Sequence, residues 1–330
     1  MTRRLLAFSA LLGLTCGLTQ ADKKDDAVAL MQAAAQSVDL QSDNAKPFQL
    51  DVDFRAQLLV PENGHYTLKW QAQDRWLQRV EVERFHEIRV CKGDHIWTSR
   101  NLDFTPLRVS ELKDLIGVFA PVPKKYIKRS KRIQVNGVEA YCVEIKANTK
   151  MDNSGTNRQV CLDPATSAVL FDEERTDLDY RKKEFLDYKP FRDQRFPTVL
   201  KLWENGSAAI TATVVSLTDA SFDEDVFEPP AGATSRMVCD KTIFPVPIKT
   251  PDPAYPAGPS AAGIGGSATV SLTIEPDGSV DNIHVLGSAG NELDAAVQAQ
   301  LRKWRFKPAM CKDQAIPCDV QVQVNFQPGR

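Results

Sequence analysis

The sequence predicts an α+β protein with an N-terminal curved antiparallel sheet or half-open β-barrel with helices, followed by a small C-terminal β-β-α-β module. Three observations lead there. Between Phe48 and Leu217, about ten short segments alternate in polarity or run apolar at strand length, separated by turn signals. From Pro229 to Gly266 the chain holds eight prolines and five glycines, a composition suited to an extended linker. Beyond it, strict alternation returns and is interrupted once by a helical stripe.

Bulk properties frame this reading. A chain of 330 residues, 42 % hydrophobic and 25 % charged, is long enough for two ordinary globular domains. Its formal charge of −2 provides no global attraction to nucleic acid or anionic lipid, so no nucleic-acid partner is expected. The N-terminus reads as an export signal over 1–21. Arg3 and Arg4 precede an uncharged run of 14 residues, Leu5 to Leu18, and Thr19-Gln20-Ala21 offers small residues for cleavage after Ala21. That run is shorter than the ~20 residues of a membrane span. A retained anchor is the alternative, and Cys16 raises lipoprotein processing as a rival, although Gly13-Leu14-Thr15 matches a lipobox poorly. The expected location is the periplasm, with membrane association as a further option.

Cleavage there leaves six cysteines in an oxidising compartment. Cys311 and Cys318 flank a hairpin or loop. Cys142 and Cys161 lie in two β-like runs that could be sheet neighbours. Pairing each within its own segment leaves Cys91 with Cys239, although six cysteines allow fifteen pairings. No metal is expected: the sequence has no CxxC or HExxH, and His65, His86, His95 and His284 lack ligand spacing.

Asp25 to Val38 carries Ala, Leu and Met at helical spacing, giving an N-terminal helix within 22–44. The main domain, 45–232, opens with Phe48–Phe54 and Tyr66–Trp70. Further strands are expected at Gln78–Val82, Glu87–Cys91, His95–Thr98, Val138–Ile145, Arg158–Leu162, Ala168–Glu173, Glu184–Tyr188, Thr198–Glu204 and Ala209–Leu217. Glu62-Asn-Gly, Lys92-Gly-Asp, Asn136-Gly, Asp163-Pro and Asn205-Gly punctuate them. Val109 to Phe119 reads as a helix with Ser110 as N-cap. Trp70, Trp76, Phe85, Trp97 and Phe104 could line an apolar cavity or fill a packed core. Lys124 to Arg132 places six cations within nine residues, read as an exposed loop or as a contact for anionic headgroups or peptidoglycan.

After a linker at 233–262 comes the module at 263–330. Ala268, Val270, Leu272 and Ile274 share one face of the first strand. Pro276-Asp277-Gly278 turns the chain into a second strand, Val280–Leu286. Asn291 is a natural N-cap for a helix with Leu293, Val297, Leu301 and Trp304 on one side. Val320, Val322, Val324 and Phe326 alternate with Asp319, Gln321, Gln323 and Asn325 as the third strand.

These residues resemble the TonB C-terminal domain family over roughly 250–328. The ordered features are Tyr255-Pro256, the first strand, the Asp277-Gly278 turn, Leu293-Asp294, Trp304-Arg305-Phe306, Pro308-Ala309 and the alternating last strand. The resemblance implies a helix packed across an antiparallel sheet whose last strand pairs with a peptide from an outer-membrane receptor. Tyr255, Pro256, Asp319, Gln321, Gln323 and Asn325 are then the candidate partner-binding residues, with self-pairing into a dimer as an alternative. Energy transducers of the family also carry a Pro-rich rod and a membrane helix with a histidine; here no histidine precedes His65. The preceding domain resembles the lipoprotein-carrier superfamily through its leading helix, its paired strands, Phe185 or Phe191 before Arg195-Phe-Pro-Thr-Val-Leu, and the closing Phe222–Gly232 segment. That likeness implies a half-open barrel with a helical lid holding lipid or acyl chains.

Nothing in the sequence calls for catalysis or a cofactor. GxSxG and Cys–His signatures are missing, and Gly263-Ile-Gly-Gly-Ser lacks the lysine of a P-loop. Asp172-Glu173-Glu174 and Asp223-Glu224-Asp225 read as solvated acidic turns. The expected function is a non-catalytic binding protein, with lipid carriage as the alternative and energy transduction behind both.

Overall fold

The computed structural model describes residues 20–327 apart from 43–44, 59, 118, 136, 147–156, 176–179 and 240–241. The expected signal lies outside the described residues except at 20–21, where the first helix begins. In chain order, α1 (Gln20–Val38) precedes β1 (Phe48–Gln57), β2 (Pro61–Ala72), β3 (Arg75–Val82), β4 (Phe85–Lys92) and β5 (His95–Arg100). Next come α2 (Leu107–Ile116), β6 (Ile127–Val135), β7 (Val138–Ile145), β8 (Asn157–Leu162) and β9 (Val169–Arg175). Three long strands follow: β10 (Tyr180–Phe191), β11 (Gln194–Glu204) and β12 (Ser207–Asp219). The chain continues through β13 (Thr234–Met237), β14 (Thr242–Ile243), β15 (Val246–Lys249) and α3 (Ala257–Ala261). The last part holds β16 (Gly266–Ile274), β17 (Val280–Gly287), α4 (Asn291–Leu301), β18 (Arg305–Lys307), β19 (Ala309–Cys311), β20 (Gln314–Ile316) and β21 (Cys318–Phe326).

Thirteen strands form one open antiparallel sheet in the order β13-β5-β4-β3-β2-β1-β12-β11-β10-β9-β8-β7-β6. It is not a closed barrel, because β13 and β6 remain edges. Period-two burial selects the inner face. Phe48, Leu50, Val52, Phe54 and Ala56 point inward from β1 while their neighbours face out. Against that face α1 seats Ala27, Met31, Ala34 and Val38, and α2 seats Val109, Leu112, Leu115 and Ile116, all in one core. Ion pairs fix α2 at its polar side: Arg108 with Glu111 and Glu204, Arg181 with Glu111, and Lys113 with the buried Glu87.

The helix over α2 starts earlier than expected, with Pro106 rather than Ser110 at its N-cap position, and ends at Ile116 before Gly117. The basic run at 124–132 is not a loop. Most of it is β6, the outer strand of the sheet, where Arg129 and Lys131 meet Glu144 and Arg132 meets Glu139. Lysines and arginines on an edge strand discourage pairing with other chains.

In the C-terminal module, β17-β16-β21 form a three-stranded sheet with α4 across it. Ala268, Val270, Leu272, Ile274, Leu293, Val297, Leu301 and Phe326 make a second core. Gly278 permits the β16–β17 turn: its φ is +81°, and a Cβ there would sit 2.0 Å from the Phe306 carbonyl oxygen. The N-cap is Gly290 instead of Asn291, and Asp294 accepts hydrogen bonds from the Ala289 amide and the Ser288 hydroxyl. Trp304 lies just beyond α4, where it still covers the core and donates its indole N–H to the Pro251 carbonyl.

The segment expected as a linker carries β13, β14 and β15. β13 extends the large sheet beside β5, while β14 and β15 pair with β19 and β18 of the module. These pairings redirect the disulfides. Cys142 bonds Cys161, its direct cross-strand partner on β7 and β8. The expected Cys311–Cys318 and Cys91–Cys239 bonds are replaced by Cys239–Cys311. Thr242 pairs with Cys311, which brings the nearby Cys239 alongside, whereas Cys318 opens β21 opposite Ile274. Cys91 is a buried free thiol between Trp76 and Ile96, and Cys318 is also free.

Candidate partner-binding edge

β16 sits at the centre of the three-stranded sheet, so β21 has a neighbour on one side and is an edge on the other. The register runs from Gly266 opposite Phe326 to Ile274 opposite Cys318 without a bulge. Val320, Val322 and Val324 therefore pack toward α4, and Asp319, Gln321, Gln323 and Asn325 are exposed on the other face. An edge strand leaves every second N–H and C=O pointing outward, ready for an added strand. The exposed side chains beside these groups are amides apart from Asp319, and none of β21 is lysine, arginine or proline.

The two ends of β21 are anchored differently. Asp319 accepts from Thr273 Oγ1 at 2.8 Å and pairs with Arg236 of β13 at 2.6 Å, so the start of the strand touches the N-terminal domain. A polar cleft of about 160 Å³ continues this contact, lined by Arg100, Phe104, Thr273, His284, Asp319 and Gln321 among others. Across it, the His284 and Phe104 rings stack with centroids 4.8 Å apart. His284 Nε2 lies 3.5 Å from Asp103 Oδ2. At the far end, Asn325 accepts from Ser267 Oγ, and Phe326 is buried against the Tyr255 ring at 5.4 Å. Tyr255 donates its hydroxyl to the Ile264 carbonyl, and Pro256 caps α3. Tyr255 thus packs behind the strand and Pro256 stands at the start of α3, while the four polar residues of β21 stand together on its exposed side.

Sequence reasoning missed three cationic or cation-capable groups at this contact, Arg100, Arg236 and His284. Their signal is tertiary: none of them lies on a strand paired with β21, and they reach its start only through the assembled sheets.

The five aromatic residues considered for a cavity separate. Trp70 and Phe85 are buried in the main core, and Trp76, the cross-strand partner of Trp70, packs against them. Trp97 pairs with Val90, which belongs to a separate cluster with Leu77 and Phe227. Phe104 lies at the contact with His284. The concave face where a ligand would lie holds α1 and α2, with Met31, Leu112 and Leu115 fully buried.

Residues 251–328 match the family model described as Gram-negative bacterial TonB protein C-terminal. Protein TonB of Pseudomonas aeruginosa is 39 % identical over 80 residues, covering 24 % of this chain and 23 % of the relative. Protein TonB of Escherichia coli K12 is 37 % identical over 57 residues, covering 17 % of this chain and 24 % of that protein. The chain thus spans about a quarter of these curated relatives. Among solved structures, a putative outer membrane lipoprotein-sorting protein domain from Vibrio parahaemolyticus aligns over 62 % of this chain and 97 % of its own, at 12 % identity and a TM-score of 0.42. The Pseudomonas aeruginosa TonB C-terminal domain aligns over 26 % of this chain and 88 % of its own, at 30 % identity and a TM-score of 0.24. No helix among the described residues is long and apolar enough to cross a membrane.

Proposed function

We propose that the chain is a periplasmic binding protein whose C-terminal module docks a protein partner by strand addition to β21. The observation that carries this reading is the outer edge of β21, regular and without charge from Val320 to Phe326. Backbone hydrogen bonds along that edge supply affinity, and the alternating side chains supply selectivity. The match of residues 251–328 to the TonB C-terminal model supports a protein-interaction role for this segment. The partner class is an extended peptide segment of a periplasmic or outer-membrane protein. The large sheet serves as a rigid base, joined to the module through Cys239–Cys311 and the Arg236–Asp319 pair.

Selecting extended peptides against the full chain tests the proposal. Bound peptide is expected to contact β21, and the double substitution Gln323→Lys with Asn325→Lys is expected to weaken it about tenfold or more by charging the edge. Unchanged binding by that variant overturns the reading. A carrier role for the N-terminal domain requires α1 or α2 to leave the concave face, since their apolar stripes occupy it.

A further inference from the structure

The three most exposed large apolar side chains of the described residues gather on one short strip: Phe244, Ile248 and Ile243 are 71, 64 and 61 % exposed, and Val246 among them is 50 % exposed. They lie on β14, on β15 or between them, and both strands are strapped to the module through β19 and β18. Pairing holds the strip in place without covering it. Pro245 and Pro247 further limit its backbone freedom.

Cations surround it. Val246 stands opposite Lys307 and Lys249 opposite Arg305 in the β15–β18 ladder, and Arg302 and Lys303 precede β18, separated from it by Trp304. All five basic residues are exposed, and none forms an ion pair among the described residues; Lys303 donates to Gln300 and Arg305 to main-chain carbonyls. Asp277 lies within the field of Arg305. β6 provides the contrast, since its arginines are paired with glutamates on the neighbouring strand. On β6 Arg129, Lys131 and Arg132 are held in ion pairs; beside β15 none of the five cations is, among the described residues.

β15 does not suit a peptide strand. It has four residues, and Pro247 removes one of its donors. What it presents is apolar side chains beside exposed cations that form no ion pair among the described residues. We propose that this strip seats the protein on an anionic bilayer surface, with Phe244, Val246 and Ile248 entering the headgroup–acyl boundary and Lys249, Lys307, Arg305, Arg302 and Lys303 meeting lipid phosphates. Charge complementarity decides the occupant: buried apolar area and attraction to anionic lipid add together at such an interface. The strip belongs to different sheets from β21, so this inference does not rest on strand addition.

Co-sedimentation of the full chain with vesicles tests it, comparing phosphatidylcholine alone with phosphatidylcholine mixed with phosphatidylglycerol. At low salt the mixed vesicles are expected to bind at least about tenfold more protein, with the excess lost at high salt. Phe244→Ser combined with Ile248→Ser should lower binding about tenfold, and Lys249→Glu combined with Lys307→Glu should lower it by at least as much, about fivefold per charge. Both variants alter exposed side chains and are expected to keep the wild-type melting temperature. Lys128→Glu with Arg129→Glu on β6 should bind as wild type does. Equal binding to both vesicle types, or wild-type binding by the Phe244/Ile248 variant, overturns the proposal. A concentration-dependent dimer that this variant abolishes would instead assign the strip to self-association. Binding of an acidic apolar peptide without vesicle binding would assign it to a protein partner.

Discussion

At the scale of single residues, cysteine pairing follows strand neighbours rather than sequence distance. Cys142 and Cys161 are opposite one another on adjacent strands, and two apolar runs of strand length made that pair legible. Cys239 reaches Cys311 only because the two-residue strand β14 docks beside β19, and a strand of that length leaves no periodic signal. With a sequence separation of 72, the second bond restricts the unfolded chain strongly. Removing it by Cys239→Ser with Cys311→Ser is expected to cost about 2–4 kcal/mol in denaturant unfolding, whereas Cys318→Ser should be near neutral. Peptide mapping that found Cys311 joined to Cys318 would contradict this assignment. A second residue-scale effect comes from Asp51. Burial raises its carboxyl pKa, but hydrogen bonds from Gln49, Ser216, Thr67 and His65 outweigh burial and hold it below the ordinary value. Folding therefore favours the ionised form. Its contribution is present above the unfolded pKa of about 3.9 and disappears as pH falls through the lower folded value. Asp51→Asn is expected to flatten the fall in melting temperature below about pH 4; an unchanged acid profile would remove Asp51 from the account.

At the scale of elements, legibility tracked periodicity. β16 and β21 alternate over nine residues each, and α4 repeats its apolar positions at i, i+4 and i+8, so both were readable before any pairing was known. Leu301 closes that stripe in full burial, and Leu301→Ala is expected to destabilise the module by about 2–5 kcal/mol, measured as an earlier C-terminal transition in denaturant. A loss below half a kcal/mol would show that α4 is not held by this core. Trp304 continues the apolar side after the helix has ended, which explains why the stripe looked one turn longer than α4. β6 shows no strand pattern in the sequence because its inward residues are few: Ile127 is buried, yet most positions after it carry exposed polar or charged side chains. An edge strand packs little, and its sequence records solubility more than pairing. The candidate site was legible to the same degree. The polar face of β21 follows from alternation, while Arg236 and His284 reach it through tertiary contacts that no local pattern encodes.

At the scale of the whole molecule, one open sheet of thirteen strands wraps two helices, and a second small sheet is fastened to it by short strands, a disulfide and a polar contact. The proline-rich segment reads as a tether by composition, but β13, β14 and β15 use it as strapping that shares hydrogen bonds with both parts. With α1 and α2 seated in the concavity, the full chain is expected to take up no fluorescent fatty acid; saturable uptake would show that the helices leave and would favour a carrier.

The measurement that bears most directly on the proposed function is backbone hydrogen exchange of the full chain with and without a selected extended peptide. Added strand pairing should slow exchange at alternate amides of β21 and leave β6 unchanged, with the effect lost in the Gln323→Lys, Asn325→Lys variant. Peptide-dependent protection on the large sheet or on β15, with β21 unaffected, would contradict docking at this edge.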